Sequence, residues 1–213
     1  NDTFTGGAGN DSVVGGSGID SISAGAGNDT LVGAQDDALL DGVSGTDWLQ
    51  VGSNFDDSAD SQIANIDNVE VTTTGLSISL GQQSEGFAVT GFAAGATTFV
   101  GGSGNDTFTG GAGNDSVVGG SGADSISAGA GNDTIVGAQD DALLDGVSGT
   151  DWLQVGSNFD DSGDSQIANI DNVEVTATGL TINLGQQSEG FAVNGFAAGA
   201  TTFIGGSGND TFT

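Results

Sequence analysis

The chain has 213 residues and carries 29 Asp and Glu against no Lys, Arg or His, a formal charge of −29. No side-chain salt bridge can form, and this self-repulsion opposes any compact state unless positive charge is taken up from solution, for which a divalent metal is the obvious source. Phosphate recognition needs Lys or Arg, so the composition excludes nucleic acid and anionic membrane surfaces as partners. No apolar run approaches the ~18 residues that membrane insertion requires.

The absence of Cys, His, Lys and Tyr removes thiolate metal sites, disulfides and most nucleophilic and acid–base chemistry, so the chain is read as no enzyme. One carboxylate pair for glycoside hydrolysis, Glu70 with Glu85 or its copy Glu174 with Glu189, lacks the aromatic residues that line sugar sites. High acidity, 41 Gly and few aromatics would suggest disorder, but the order within the sequence argues against it.

The order is a repeat. Residues 1–104 align without gaps on 105–208, differing at eight positions and so identical at 96 of 104, and Asn209 to Thr213 begin a third copy. The start at Asn1, inside a motif, suggests a window cut from a longer array. Within each copy, a second and shorter period governs the first half. Residues 101–154 read as six nine-residue units: GGSGNDTFT, GGAGNDSVV, GGSGADSIS, AGAGNDTIV, GAQDDALLD and GVSGTDWLQ. Five of the six place Gly fourth, Asp sixth and an apolar residue eighth, while the fifth departs. The block at 1–54 is the same, with sixth-position aspartates Asp2, Asp11, Asp20, Asp29 and Asp47; in the second copy they are Asp106, Asp115, Asp124, Asp133 and Asp151, and Asp210 restarts the series.

The spacing has a chemical reason. Glycine at the first, second and fourth positions frees the backbone for left-handed or strained conformations that turn carbonyl oxygens towards one centre. The glycines in question are Gly101, Gly104, Gly110, Gly113, Gly119, Gly122, Gly129, Gly131, Gly146 and Gly149. The aspartate adds a hard anionic oxygen, and calcium takes 6 to 8 such ligands. One loop cannot supply them. If three residues after each loop form a strand, two units close one 18-residue coil, and Asp at n faces Asp at n + 18. The predicted calcium pairs are Asp2 with Asp20, Asp11 with Asp29, Asp29 with Asp47, Asp106 with Asp124, Asp115 with Asp133 and Asp133 with Asp151. Asp124 would face Ala142, a gap that either Asp140 or Asp141 fills if that loop is one residue shorter. The eighth positions then form two apolar ladders, Phe108, Ile126 and Leu144 on one sheet and Val117, Ile135 and Leu153 on the other.

Residues 55–100 and 155–204 lose the nine-residue rhythm. They open on FDDSADS or FDDSGDS, where Asp56, Asp57 and Asp60, with Asp160, Asp161 and Asp164, read as a solvated acidic loop ahead of a further calcium site. Strands are predicted at NVEVT, LSISL, FAVTGF and TTFV, and AQDDALLD offers at most one helical turn. Trp48 and Trp152, at seventh positions, should point outwards, although packing under the following loop is an equal option. The expected fold is all-β, a calcium-stapled parallel β-roll (1–54 and 101–154) continuing into an irregular β-solenoid (55–100 and 155–204), repeated in tandem. A separate small β-sandwich at 55–100 would be short for independent stability.

The nonapeptides, as many consecutive units in register, resemble those of RTX, or haemolysin-type, calcium-binding proteins. That resemblance implies a parallel β-roll with calcium between its turns, export through a one-step transporter while unfolded, and folding outside the bacterial cell. The segments IANIDNVEVT and TTFVGGSGNDTFTGG are similar to stretches between such blocks in large adhesins and surface-layer proteins. The expectation is a secreted or cell-surface structural rod, filament or adhesin stalk whose partners are calcium ions and further copies of the repeat. The alternative is a calcium-dependent secretion and folding module of a secreted enzyme or toxin.

Overall fold

A computed structural model describes residues 1–33, 35–57, 62–137, 139–163, 166–195 and 199–213. Among them there is no helix, and every strand pairing is parallel. Short strands two to six residues long alternate between two sides of a thin core, because the glycine-rich loops turn the chain after each apolar eighth position. AQDDALLD forms no helix among its described residues: it turns at residues 35–36 and then enters the strand Leu39–Ser44.

The two predicted ladders form as expected. Phe108 faces Ile126 and Ile126 faces Leu144, while Val117 faces Ile135 and Ile135 faces Leu153. All six side chains are buried. Each contributes roughly 1.5 to 3 kcal/mol on leaving water. The irregular halves are further coils of the same solenoid, not a separate sandwich. Asn68–Val71, Leu76–Ser79, Ala88–Thr90 and Thr97–Val100 lie where the sequence places strands. Their coils are longer than 18 residues: Leu49 faces Val69, Ile78 faces Phe99, and Leu40 faces Ile63 across the acidic insertion.

The ladder runs through the boundary between copies without a break. Thr97–Val100 pairs with Ser116–Val118, Thr107–Thr109 pairs with Ser125–Ser127, and Phe99 stacks on Phe108 with ring centroids 5.4 Å apart. The two copies are therefore one solenoid. Ser12–Val14 and Thr107–Thr109 belong to the same nine-stranded sheet, whereas Thr3–Thr5, the equivalent of Thr107–Thr109, lies in the four-stranded sheet across the core. One repeat thus contains an odd number of half-coils.

Candidate metal centres in the stacked loops

Apart from the exposed Asp2 and the half-buried Asp11 of the first coil, each sixth-position aspartate turns inwards at the start of a strand and ties its loop to the coil before it. One carboxylate oxygen, Oδ1, accepts the backbone N–H of the residue one coil earlier. The Asp2 N–H reaches Asp20 at 2.7 Å, and Asp11 reaches Asp29, Asp29 reaches Asp47, Asp106 reaches Asp124, Asp115 reaches Asp133 and Asp133 reaches Asp151, each at 2.8 Å. The structure therefore brings together all six predicted pairs. Asp210 accepts from Phe191 at 3.1 Å and continues the series at the far end.

The second oxygen is the chemically open one. Oδ2 of Asp20, Asp29, Asp47, Asp133 and Asp151 is buried with no hydrogen-bond partner. A buried acceptor left unpaired costs on the order of 1 to 3 kcal/mol, more when charged, so each is a cation ligand in waiting. At Asp106 the corresponding oxygen takes the Gly102 N–H at 3.1 Å. Burial pushes the Asp106 carboxyl up to about 6 against the opposing backbone hydrogen bonds from Phe87 and Gly102, with the Asp124 charge adding to the rise. Asp47, Asp115, Asp124, Asp133 and Asp151 are raised for the same first reason, burial. Among the described residues, no three carboxylates converge on one point. An ion held here takes two carboxylates at most from the stack and completes its shell with carbonyl oxygen and water, a mixture that suits calcium.

The glycines act in two ways, which corrects one expectation. Those at first positions are not in the left-handed region. Gly101, Gly110 and Gly119 are required by space, because a Cβ on them would lie 2.3, 2.5 and 2.3 Å from Oδ2 of Asp106, Asp115 and Asp124; Gly146 stands in the same relation to Asp151. Gly104 and Gly113 are also outside the left-handed region and packed on the backbone of the preceding coil, at Glu85 and Gly95. The left-handed expectation holds at Gly122, Gly129, Gly131 and Gly149. At Gly149, φ is 141° and a Cβ would fall 1.4 Å from the Gly131 carbonyl oxygen.

The gap opposite Asp124 is filled by the shorter loop. In the first copy the Asp20 N–H donates to Asp37 at 3.2 Å, and in the second Asp141 lies in hydrogen-bond contact with Asp124. The acidic insertion departs from expectation. Asp56 and Asp160 are exposed, but Asp57 and Asp161 are buried and structural: the Asp57 carboxylate accepts the N–H groups of Gln62 and Ile63 and the Gln83 side-chain amide at 2.7 Å. Asp60 and Asp164 lie outside the described residues.

Two sets of residues were missed. Asp67 and Asp171 extend the ladder beyond the nonapeptides, accepting the Asp47 and Asp151 N–H groups at 2.8 Å. The signal was present, since Asp67-Asn68-Val69 keeps the aspartate-any-apolar spacing of the repeat. The fifth-position asparagines form a parallel ladder of opposite direction: Asn10, Asn105 and Asn114 accept the N–H of Asn28, Ala123 and Asn132 one coil later, each at 2.9 Å. Trp48 is 38% exposed on the outer sheet face beside Gln50 and Glu70, which hydrogen-bond at 2.8 Å, and Trp152 is half-buried. Glu70 and Glu85 line different cavities.

A parallel solenoid, without helix among its described residues, whose glycine loops stack half-satisfied carboxylates defines a cation-binding repeat protein. The profile of the RTX calcium-binding nonapeptide repeat matches the chain four times, at residues 5–40, 93–126, 113–144 and 197–213, and the chain belongs to this calcium-binding family. No curated protein and no solved structure matches it.

Proposed function

We propose that the chain is a stiff, calcium-loaded segment of a bacterial extracellular structural protein, of the filament, surface-layer or adhesin-stalk kind. The observation that carries this reading is the unbroken strand ladder across the copy boundary, from Thr97–Val100 into Ser116–Val118, which turns near-identical repeats into length. In a one-dimensional stack of this kind, each coil is stabilised by its neighbours and further copies extend the rod at constant cross-section. Calcium would sit between Asp2 and Asp20, Asp11 and Asp29, Asp29 and Asp47, Asp106 and Asp124, Asp115 and Asp133, and Asp133 and Asp151, neutralising a chain that has no positive side chain of its own. Because the residual stabilisation of a thin core is small, ion binding is part of folding. Low calcium inside the cell would keep the chain extended for export, and calcium outside would set the rod.

Electron microscopy of the purified chain with millimolar calcium and with chelator tests the reading. Narrow rods in calcium that disappear in chelator support it. Compact globular particles in calcium would favour the alternative, a folding module for an attached enzyme or toxin.

A further inference from the structure

The strand Trp48–Val51 carries a ring that neither the core nor the carboxylate stack uses. Alternation along the strand buries Leu49 and Val51 and sends Trp48 and Gln50 to the outer face; in the neighbouring strand Val69 and Val71 are buried and Glu70 shares that outer face. The seventh positions of the earlier units hold Thr3, Ser12, Ser21, Thr30 and Leu39. Trp48 therefore stands in a row made mostly of small hydroxyl residues, 38% exposed.

Around the ring the fold builds a cavity of about 380 Å³, walled by Thr30, Trp48, Gln50, Glu70 and Thr90. The Gln50 amide donates to Glu70 Oε2 at 2.8 Å, which fixes one carboxylate oxygen beside the indole and leaves the other without a protein donor among the described residues. The second copy keeps the same chemistry. Gln154 donates to Glu174 at 2.8 Å beside Trp152, which pairs with Asn172 as Trp48 pairs with Asn68. Thr90 becomes Asn194, one of the eight differences between the copies, and the exchange retains a hydrogen-bonding side chain.

A flat ring next to a fixed amide–carboxylate pair and two hydroxyls suits a ligand that is apolar on one face and hydroxylated at its edge. A pyranose ring is such a ligand: its C–H face stacks on an indole, and its hydroxyls pair with carboxylate, amide and threonine groups. A charge of −29 repels anionic sugars, so the ligand is uncharged or cationic. A bare organic cation would call for several rings or carboxylates, whereas the walls offer one ring and one carboxylate already bonded to an amide. We propose that the Trp48 face and its copy at Trp152 are binding platforms for a saccharide chain that carries no negative charge. Trp48 supplies the stacking surface, and Glu70, Gln50 and the threonine hydroxyls orient the sugar. The strands of Trp48 and Trp152 lie in opposite nine-stranded sheets, so one molecule grips a saccharide chain on each side and cross-links the two. This adds a ligand to the structural reading and uses none of the calcium pairs.

The test uses the whole chain in calcium against an array of uncharged and amino-sugar oligosaccharides, followed by affinity electrophoresis in the soluble polysaccharide of any sugar that binds. The two indoles are the only Trp and the chain has no Tyr, so intrinsic fluorescence reads the two platforms alone. Binding with a shifted indole emission is expected, weakened at least about tenfold in Trp48→Ala/Trp152→Ala. Trp48→Ala alone should still bind but no longer make the polysaccharide solution turbid. No binding to any sugar, or equal binding by the double variant, overturns the proposal. An emission change given by polylysine and by no sugar also overturns it, in favour of a basic protein partner. Circular dichroism in calcium checks that the variants fold. Should the double variant fail that check, Glu70→Gln/Glu174→Gln keeps both indoles; it must weaken binding while its calcium titration is unchanged, and undiminished sugar affinity overturns the platform. An unaltered chain that does not fold in calcium removes the structural reading, whereas a folded chain that ignores every sugar removes only this inference.

Discussion

The half-satisfied carboxylate is the residue-scale unit of this molecule, and its two oxygens have separable roles. Asp133 accepts the Asp115 N–H through one oxygen and leaves the other buried and unpaired. Asp133→Asn keeps an acceptor for the N–H but removes the charge, so the calcium midpoint should rise about tenfold in a circular dichroism titration while the calcium-saturated fold is retained. Gly110 tests the packing role of the first position. A Cβ there would lie 1.8 Å from the Ala128 carbonyl oxygen and 2.5 Å from Asp115 Oδ2, so Gly110→Ala should cost about 3 kcal/mol or more in denaturant unfolding with calcium present. Protons compete with the ion at the same oxygens. Asp106 has its folded pKa raised to about 6 from an ordinary 3.8. The folded chain therefore binds more protons than the unfolded chain between these values, and its calcium-free stability increases as pH falls through that window and is lost as pH rises through about 6. Calcium affinity runs the other way, because the ligand must be ionised. Titrations at pH 5 should need more calcium than at pH 7.5, with less difference between bound and free states.

At the scale of elements, the ladders were legible because one spacing, 18 residues, sets both the carboxylate stack and the apolar stack. Leu144 illustrates this: it was placed against Ile126 by counting alone and is completely buried there. Leu144→Ala should destabilise the calcium-bound form by about 2 to 5 kcal/mol, read from chemical unfolding. Beyond the nonapeptides the count fails, since unequal loops stretch coils to between 19 and 23 residues while the strand pairing persists. Sequence periodicity cannot see a register kept by hydrogen bonds across unequal loops. Burial of Asp57 was hidden for a related reason: its partners, Ile63 and Gln83, belong to the loop's end and to the next coil, and Gln83 is distant in sequence. Asp67 was hidden only by the loss of the glycines around it, because its spacing to Val69 was intact.

For the whole molecule, the odd number of half-coils in each repeat has a geometric consequence. Equivalent strands of successive copies occupy opposite sides of the core, so Trp48–Val51 lies in one nine-stranded sheet and its equivalent, Trp152–Val155, in the other. Any feature carried once per repeat is then displayed alternately on the two sides, with a full surface period of 208 residues, superimposed on whatever twist the rod has. The Trp48, Gln50 and Glu70 face and its copy are such features. A solenoid built this way presents equivalent surfaces on both of its sides. Because the chain lacks cysteine, a single Thr30→Cys change and its equivalent Thr134→Cys introduce the only thiols, on the equivalent strands Thr30–Gly33 and Thr134–Gly137 of the two opposite sheets. In a tandem array of four or more copies labelled with gold particles at every such position, images in calcium should show the particles alternating between the two edges of the rod. Particles along one edge alone would mean that the repeat closes on a whole number of coils and that the strand order described for the copy boundary is wrong.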